Sequence, residues 1–537
     1  MSGTSRAWGL RGYLAAAVFV TVSFVAVRGM APTGAGVYYD DGVYLALAQS
    51  LAEGRGYTYA NLPGDIPGIK YPPVYPTVLA GASMLLPAYP DNLSYLKALN
   101  ALLIGLAAAL TFLCFARPTD RLARQAAFAT AAILAFSSAQ TMSLATVLLS
   151  EPLWLALTMG TLLAAGRPRP AVPLVALGAV AAFLTRSIGI SLIAAILMTD
   201  LLARGAWDRN RMKRSGQLAA ATLGPAVAWW TWTAVRLPDV PPALSGTYGS
   251  YASWYAGEGG WIGNLLDTVL AHWPPLITAL EHLWMPAAAV TTANFVLVVL
   301  GGLALFGLLH VGRRNLALAL FPVMYLAVVL VWPYEPDRFY YAVVPLLTMC
   351  LVEGGATVAK RVRADMPLFG VPVLVVVAGL LLFNSARHQV RSHRARAWTR
   401  FQLAPAVTYR PLLDWIRENV EQDAVVASGL DPLVYWETGR RAVPNFQFLP
   451  TDYLDPDTSE EALAGQFEEL RELSGSRWVA VIRGEAKAGR TMDAFAARHP
   501  ERVRAAFEAE TGPFSGIVYE VLPPGEEFPA ATPPSPQ

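Results

Sequence analysis

Residues 95–116 read YLKALNALLIGLAAALTFLCFA and contain a single charged side chain, that of Lys97. A helix of about 20 apolar residues is long enough to cross a hydrocarbon core about 30 Å thick. The whole chain follows this pattern, because 54% of its 537 residues are apolar and only 15% are charged. Soluble proteins average about 25% charged residues. The composition therefore predicts an integral membrane protein and excludes a soluble enzyme, a disordered chain and a disulfide-rich secreted scaffold.

On the same criterion of length and apolarity, the sequence predicts an α-helical polytopic membrane protein with about eleven membrane-spanning helices. They are expected at about residues 9–28, 95–116, 125–144, 146–165, 171–186, 188–203, 216–236, 287–310, 316–333, 339–358 and 367–384. The first apolar run is followed by Arg28 and lacks a clear small-residue cleavage site. We therefore expect it to be a retained anchor and not a removed signal peptide.

Basic residues mark one side of the predicted spans. They precede the first span and fill the short loops at about 117–124, 167–169, 204–214, 313–314 and 360–363. Short loops rich in Lys and Arg are cytoplasmic, so an odd number of spans places the C-terminal region outside the cytoplasm, at the plasma membrane of a bacterium. The basic stretch at 387–396 opposes this orientation, although long translocated domains are largely exempt from the charge rule.

Two long loops are predicted on the external side of the membrane part, which covers residues 1–387. The first, at 29–94, contains two surface helices, one from Asp40 to Leu51 and one from Val74 to Leu86. The second loop, at 237–286, is rich in aromatic residues. Such residues are typical of an interfacial belt, and a wall that binds sugar or lipid is the other interpretation. The aromatic residues are Tyr248, Tyr251, Trp254, Tyr255, Trp261 and Trp273.

The C-terminal region at 388–528 has the composition of a soluble domain. Helical patterns at 412–420 and 459–473 alternate with strand patterns at 424–428, 478–482 and 517–521. This alternation predicts a small external α/β domain. The Pro-rich end at 529–537 is predicted to be a disordered tail.

Ionisable residues concentrate at the external ends of the predicted spans. Such residues are costly in lipid and tend to be functional, so they predict a polar cavity open to the outside. They are Asp40, Asp41, Lys70, Glu151, Arg186, Glu335, Asp337 and Arg338. The sequence contains no phosphate-binding loop and therefore gives no indication of nucleotide hydrolysis. A net charge of +2 does not indicate a nucleic-acid partner.

The first external loop resembles that of the GT-C-fold glycosyltransferases. The motifs are YDDGVYLALA at 39–48, LAEGRGY at 51–57 and KYPPVYP at 70–76. The similarity is greatest to the superfamily of protein O-mannosyltransferases and aminoarabinose (lipid A) transferases. Further matching pieces are at 150–153, 337–345 and 430–441.

The resemblance implies a polyprenyl-phosphate sugar donor, inversion at the anomeric carbon, and an acceptor that is a glycan, a lipid or a protein. Asp40 matches the first acidic residue of the family motif and is expected to be the catalytic base. Asp41 is expected to support it. Where this chain has Asp41 the family commonly has Glu, and double-Asp loops occur in metal-using branches. A divalent cation bound by Asp40 and Asp41 is therefore a second interpretation.

Elementary chemistry fits the same roles. An acceptor hydroxyl needs a base to take its proton, and one carboxylate suffices. A departing lipid phosphate needs cations to hold it. The cations are expected to be Lys70, Arg186 and Arg338, and Tyr44 and Glu151 are expected to help bind substrate.

Each of these residues also has a purely structural interpretation. Asp40 and Asp41 stand at a helix start, where Asp is a favoured N-cap. Glu151 could be a paired intramembrane acid, and Arg186 an interface anchor. At the level of function, a transporter or flippase of a lipid-linked or small anionic substrate is the main alternative. Transporters commonly bind near the bilayer midplane between repeats. A noncatalytic assembly protein is the third possibility.

Overall fold

The computed structural model describes residues 3–30, 33–167, 169–203, 208–250, 260–285, 290–332, 334–366, 370–449, 458–482, 486–511 and 514–529. Within these ranges the chain is mostly helical. The helices of the membrane part are α1 (Gly3–Gly29), α2 (Asp40–Ala52), α3 (Val74–Ser83), α4 (Leu93–Phe115), α5 (Leu122–Phe136), α6 (Ala139–Ala145), α7 (Glu151–Ala165), α8 (Val172–Thr185), α9 (Ile190–Leu202), α10 (Arg209–Arg236), α11 (Ser245–Tyr248), α12 (Gly260–Trp284), α13 (Val290–Gly312), α14 (Leu316–Leu330), α15 (Asp337–Asp365) and α16 (Gly370–Arg394).

Several of these helices are apolar enough for a membrane. By length and composition, three could cross it within the described residues: Gly9–Gly29, Leu93–Phe115 and Asp337–Asp365. Shorter apolar helices are Glu151–Ala165, Val172–Thr185, Ser187–Leu202, Val296–Gly312 and Leu316–Leu330. The expected class of helical membrane protein is confirmed, and the number of eleven spans stays a prediction.

The predicted span at 125–144 is broken. Helices α5 and α6 are bent by 65° at Ser137 and Ser138, and the Ser138 hydroxyl caps α6 by accepting a hydrogen bond from the Thr141 amide at 3.3 Å. A Ser at this position competes for backbone hydrogen bonds and favours a new helix start. The next helix, α7, consequently begins at Glu151 and not at residue 146.

The second long loop contains a helix that the sequence did not predict. Helix α12 has 25 residues and includes Pro274 and Pro275. The two ring nitrogens of His272 lie 3.2 Å from the carbonyl oxygens of Leu330 and Tyr334, so the middle of α12 lies beside the end of α14. Tyr251, Trp254 and Tyr255 lie outside the described residues.

Both predicted surface helices of the first loop are present as α2 and α3. Helix α2 ends at Ala52, one residue after the predicted Leu51. Gly54 follows with a φ of +73°, the left-handed conformation that glycine adopts readily. The Arg55 amide then donates to the Ser50 carbonyl at 2.9 Å, which closes the helix. Helix α3 ends at Ser83, earlier than the predicted Leu86.

The basic loops converge on one end of the helix bundle, which we call the basic end. Glu353 of α15 is fully buried there, with its carboxylate 2.7 Å from Arg124 Nη2 and 3.6 Å from Arg314 Nη2. Arg11 donates to the Leu113 carbonyl at 2.6 Å. Arg11, Arg124 and Arg314, from three of the basic segments, therefore lie at this end. The opposite end, which carries Asp40, is called the site end.

The C-terminal region forms the expected α/β domain. Its helices are α17 (Arg400–Asn419), α18 (Asp431–Thr438), α19 (Glu460–Ser474) and α20 (Ala486–Arg498), and its strands are β1 (Val426–Ser428), β2 (Ala442–Val443), β3 (Trp478–Ile482), β4 (Val503–Thr511) and β5 (Phe514–Val521). The sheet order is β2-β1-β3-β5-β4. Strands β2, β1 and β3 are parallel, and β5 is antiparallel to β3 and β4. The tail predicted at 529–537 lies outside the described residues except for Pro529.

The soluble domain packs on the site end of the bundle. The Trp436 indole donates to the Gly42 carbonyl at 2.9 Å, and the Tyr435 hydroxyl donates to Gln49 Oε1 at 2.8 Å. Both contacts join α18 to α2. Helix α18 therefore lies directly on the first loop, beside the residue at which α2 begins.

Candidate active site

Asp40 is the first residue of α2, and its carboxylate binds two groups from distant parts of the chain. Oδ1 accepts a hydrogen bond from the Tyr71 hydroxyl at 2.6 Å, and Oδ2 accepts one from Arg338 Nη2 at 2.6 Å. The N-cap residue of α2 is Tyr39 and Asp40 is the first helical residue, so Asp40 does not occupy the N-cap position that its sequence setting suggested.

Burial alone would raise the pKa of Asp40. The charge of Arg338 and the hydrogen bonds from Tyr71 and Arg338 outweigh burial and hold the pKa below its ordinary value. Asp40 is therefore an ionised carboxylate at neutral pH, as a general base must be before it accepts a proton.

Arg338 joins Asp40 to a second, deeper carboxylate. Its Nε lies 3.0 Å from Glu151 Oε1, and Arg186 Nη1 lies 2.9 Å from the same oxygen. Glu151 is almost fully buried and does not line the cavity described below. It lies behind the two guanidinium groups and holds both in place.

Uncharged side chains complete this network. Arg186 Nη1 donates to Ser150 Oγ at 2.9 Å, and the Tyr44 hydroxyl is 2.8 Å from the same oxygen. Arg186 also stands over the ring of Phe339, 5.2 Å from its centroid, a cation–π contact. The structure thus brings together Asp40, Tyr44, Glu151, Arg186 and Arg338.

Lys70 lines the same cavity as Asp40. Its Nζ donates to the carbonyl oxygens of Gly246 at 3.1 Å and Thr247 at 2.8 Å, and lies 5.3 Å from the Tyr334 ring centroid. Burial lowers the pKa of Lys70 to about 8, and the negative charge of Asp40 partly opposes that shift. Lys70 therefore changes its charge close to physiological pH.

The cavity lies between the helix bundle and the soluble domain and has a volume of about 950 Å³. Asp40, Lys70, Arg186 and Arg338 line it from the membrane part. The soluble domain contributes Gly429, Pro444, Phe446 and Phe448. Around Asp40, the guanidiniums of Arg186 and Arg338 and the ammonium of Lys70 provide cationic groups that can bind an anion.

Other ionisable groups also line the cavity. Glu335 and Asp337, which the sequence placed near the site, both do so, together with His282 and His388. Burial, with the charge of Asp337, raises the pKa of Glu335. The lining of the cavity therefore combines cations with carboxylates.

Asp41 points away from Asp40. Its Oδ1 accepts hydrogen bonds from the backbone amides of Gly36 at 3.1 Å, Tyr38 at 3.0 Å and Gly42 at 3.0 Å. Burial raises the pKa of Asp41 to about 6, although the charge of Lys97 and these amides oppose that shift. Asp41 does not line the cavity, so the two carboxylates do not face a common point.

In the part of the chain that the structure describes, no group of three or more His, Cys, Asp and Glu side chains is arranged to hold a metal ion. The partners of Asp40 are a guanidinium and a phenol. This donor set fits an ionised base and does not fit the oxygen cage that Mg²⁺ or Ca²⁺ requires.

Comparison with known proteins gives a likeness of architecture. No family model matches the chain, and no curated protein matches it. Among solved structures, it is similar to ArnT from Cupriavidus metallidurans bound to undecaprenyl phosphate, at 14% identity and a TM-score of 0.48, with 94% of this chain and 97% of that chain covered. The apo state of the same ArnT has 14% identity and a TM-score of 0.45, with 95% and 97% covered.

Sequence reasoning missed two groups of site residues. Tyr71 and Ser150 are uncharged, and the only signal for them was their position beside Lys70 and Glu151 in the quoted motifs. The buried contact of Asp431 with Asn61 and Tyr248 joins residues up to 370 positions apart. No local pattern reports such a contact.

Proposed function

We propose that this protein is a membrane glycosyltransferase that moves a sugar from a polyprenyl-phosphate donor to an acceptor hydroxyl. The observation that carries the proposal is the ion pair of Asp40 and Arg338 in the wall of the large cavity. One carboxylate base and several cations are the groups that this reaction needs. The cavity volume is at the upper end of the roughly 300–1,000 Å³ common for ligand sites.

In the proposed reaction Asp40 is the general base. The acceptor oxygen attacks the anomeric carbon, and its proton passes to Asp40. The bond from the anomeric carbon to the phosphate oxygen breaks, and its electron pair leaves with the polyprenyl phosphate. Attack from the face opposite the leaving group inverts the anomeric configuration.

Arg338 and Lys70 hold the donor phosphate in this proposal, and Arg186 supports them. The phosphate oxygens compete with Asp40 for the Arg338 guanidinium, because both are anions that bind the same donor groups. Donor binding therefore frees Asp40 Oδ2, which Arg338 otherwise occupies, to accept the proton. Glu151 keeps the two guanidiniums together through this exchange.

Asp41 serves the structure of the loop in this proposal, because its side chain is buried and its Oδ1 accepts hydrogen bonds from three backbone amides. The site end and the soluble domain are proposed to lie outside the cytoplasm of a bacterium. The basic end then faces the cytoplasm, as the charge rule requires.

The test uses the full chain in lipid nanodiscs with a panel of labelled polyprenyl-phosphate sugars. The acceptor source is the cell-envelope fraction of a strain that lacks this protein, where unmodified acceptor accumulates. We expect release of polyprenyl phosphate matched by label in the envelope fraction, and loss of both with Asp40→Asn.

A transporter would behave differently in the same preparation. In sealed vesicles it would move the intact donor across the bilayer without cleaving it. Donor translocation without release of polyprenyl phosphate, unaffected by Asp40→Asn, would contradict the proposal.

A further inference from the structure

The backbone immediately before Asp40 has a rare conformation. Tyr39 has φ of +59° and ψ of −71°, and the Asp40 amide donates to the Tyr38 carbonyl at 2.7 Å. These features define a γ-turn with positive φ, a strained conformation for a residue with a side chain. Such a turn persists only where the surroundings hold it, and it sets the direction in which the Asp40 side chain leaves the backbone.

The soluble domain supplies the contacts that hold this turn. Asp431, the first residue of α18, is fully buried. Its Oδ2 accepts hydrogen bonds from the Tyr248 hydroxyl and, at 3.1 Å, from Asn61 Nδ2. Tyr39 packs against this cluster, with its ring centroid 6.4 Å from that of Tyr248 and its buried hydroxyl within the electrostatic reach of Asp431.

The backbone on both sides of the turn is packed against the same helix. A Cβ atom at Gly36 would collide with the backbone of Leu433, and one at Gly42 with the side chain of Pro432. Gly36 also has φ of +91°, which other residues rarely adopt. The segment 36–42 therefore lies directly on the N-terminal turn of α18 and cannot shift without breaking these contacts.

We propose that Asp431, with Tyr248 and Asn61, is a positioning residue that orients the base Asp40 by fixing Tyr39 in its strained turn. This inference rests on the proposed function, in which Asp40 is the base. It assigns to the soluble domain a part in the chemistry, in addition to its contribution to the cavity wall. Asp431 does not line the cavity, so it acts through Tyr39.

Two variants that each remove one hydroxyl give a matched test. Tyr248→Phe removes the group that donates to Asp431. Tyr435→Phe removes the hydroxyl that donates to Gln49, across the same α18–α2 interface but away from the turn.

Since misplacing a catalytic group by about 1 Å costs about 100-fold in rate, we expect Tyr248→Phe and Asp431→Ala to lower kcat by about 10- to 100-fold. The KM for donor should change by less than about threefold, because the phosphate-binding cations are untouched. Tyr435→Phe should match wild type.

A double-mutant cycle separates positioning from general stability. In the Asp40→Asn background, Tyr248→Phe should have no further effect on kcat, because it acts only through Asp40. Equal fold-losses in both backgrounds, or a kcat for Tyr248→Phe equal to wild type, would overturn the inference while wild-type transfer still supported the proposed function.

Hydrogen exchange gives a readout that does not depend on activity. We expect backbone amides of segment 36–44 to exchange faster in Tyr248→Phe and Asp431→Ala than in wild type or Tyr435→Phe. Unchanged exchange there would overturn the inference even if the protein transferred no sugar. Absence of transfer by wild type, with faster exchange in the two variants, would refute the proposed function and the role of Asp40 as base.

Discussion

Arg338 Nη2 lies 2.6 Å from Asp40 Oδ2, although the two residues are 298 positions apart in the chain. One stands at the start of a surface helix in the first loop, and the other in the first turn of α15. The same guanidinium also contacts Glu151. Arg338 thus connects the surface of the cavity to a buried carboxylate.

The two adjacent carboxylates are expected to respond differently to the same substitution. General base catalysis contributes about two to four decades of rate, so Asp40→Asn should lose that much turnover while still binding donor. Asp41→Asn keeps the oxygen that accepts the loop amides and should stay within about threefold of wild type. Steady-state kinetics on both variants, with and without a chelator, measure this. Chelator sensitivity that disappears in Asp41→Asn would instead indicate the metal-using branch.

Donor use is expected to fall as Lys70 loses its proton. The pKa of Lys70 is about 8, so it is charged below that pH and neutral above it. The profile of kcat/KM reports groups of the free enzyme, and we expect a descending limb near pH 8. Lys70→Arg, which stays charged, should remove this limb. Lys70→Ala should lower kcat/KM by about one to two decades below pH 8, since charge-assisted hydrogen bonds contribute about 1.5–3 kcal/mol. If the descending limb of the kcat/KM profile persists in Lys70→Arg, another group is responsible for it.

Arg338→Gln should raise the dissociation constant for undecaprenyl phosphate by about one to two decades, because it removes a charge-assisted contact of about 1.5–3 kcal/mol. Binding can be measured by native mass spectrometry of the purified protein. The control is Arg55→Gln in the same loop, where Arg55 makes an exposed ion pair with Glu53 that should contribute little. Equal affinity of the Arg338→Gln variant and wild type would remove Arg338 from the donor site.

Glu151→Gln is expected to weaken the fold and not the chemistry directly. It leaves Arg186 and Arg338 without their shared buried carboxylate, and breaking a buried ion pair in this way costs about 3–5 kcal/mol. The melting temperature should fall, and undecaprenyl phosphate should raise it more than in wild type, because the phosphate supplies the missing negative charge. A melting temperature equal to that of wild type would contradict this role for Glu151.

The soluble domain is expected to be accessible from outside the cell. In a background without Cys114 and Cys350, a cysteine at the exposed Glu472 of α19 should react with a membrane-impermeant maleimide on intact spheroplasts. A cysteine at Arg363, near the end of α15 at the basic end, should react only after lysis. The reverse pattern would overturn the proposed orientation.

Much of the site could be predicted because ionisable residues stand out in an apolar chain. Asp40, Lys70, Glu151, Arg186 and Arg338 were all visible as charges at or near the ends of apolar segments, and the structure brings them to the same end of the bundle. The different roles of the charged residues in the site could not be predicted from the sequence. Which of Asp40 and Asp41 faces the cavity depends on the turn at Tyr39, and that turn depends on contacts with a domain about 390 residues further along.

The errors in the fold predicted from the sequence also come from interactions that a local pattern does not report. The bend at Ser137 and Ser138 and the start of α7 depend on capping and tertiary packing, which hydropathy does not report. Helix α12 was missed because Asp267, His272 and the Pro274–Pro275 pair interrupt its apolar pattern. Strand β2 has two residues, too few for any periodicity to be recognised.

Helix α15 is held by ion pairs at two levels, by Arg338 in its first turn and by Glu353 fifteen residues further along the helix. These two residues are separated by about 22 Å at the rise of an α-helix. The vertical register of α15 is consequently fixed by protein contacts and not by how the helix matches the surrounding lipid. The pairing of Arg338 with Asp40 should therefore survive in bilayers of different acyl-chain length, where helices without such anchors tilt or slide to bury their apolar lengths.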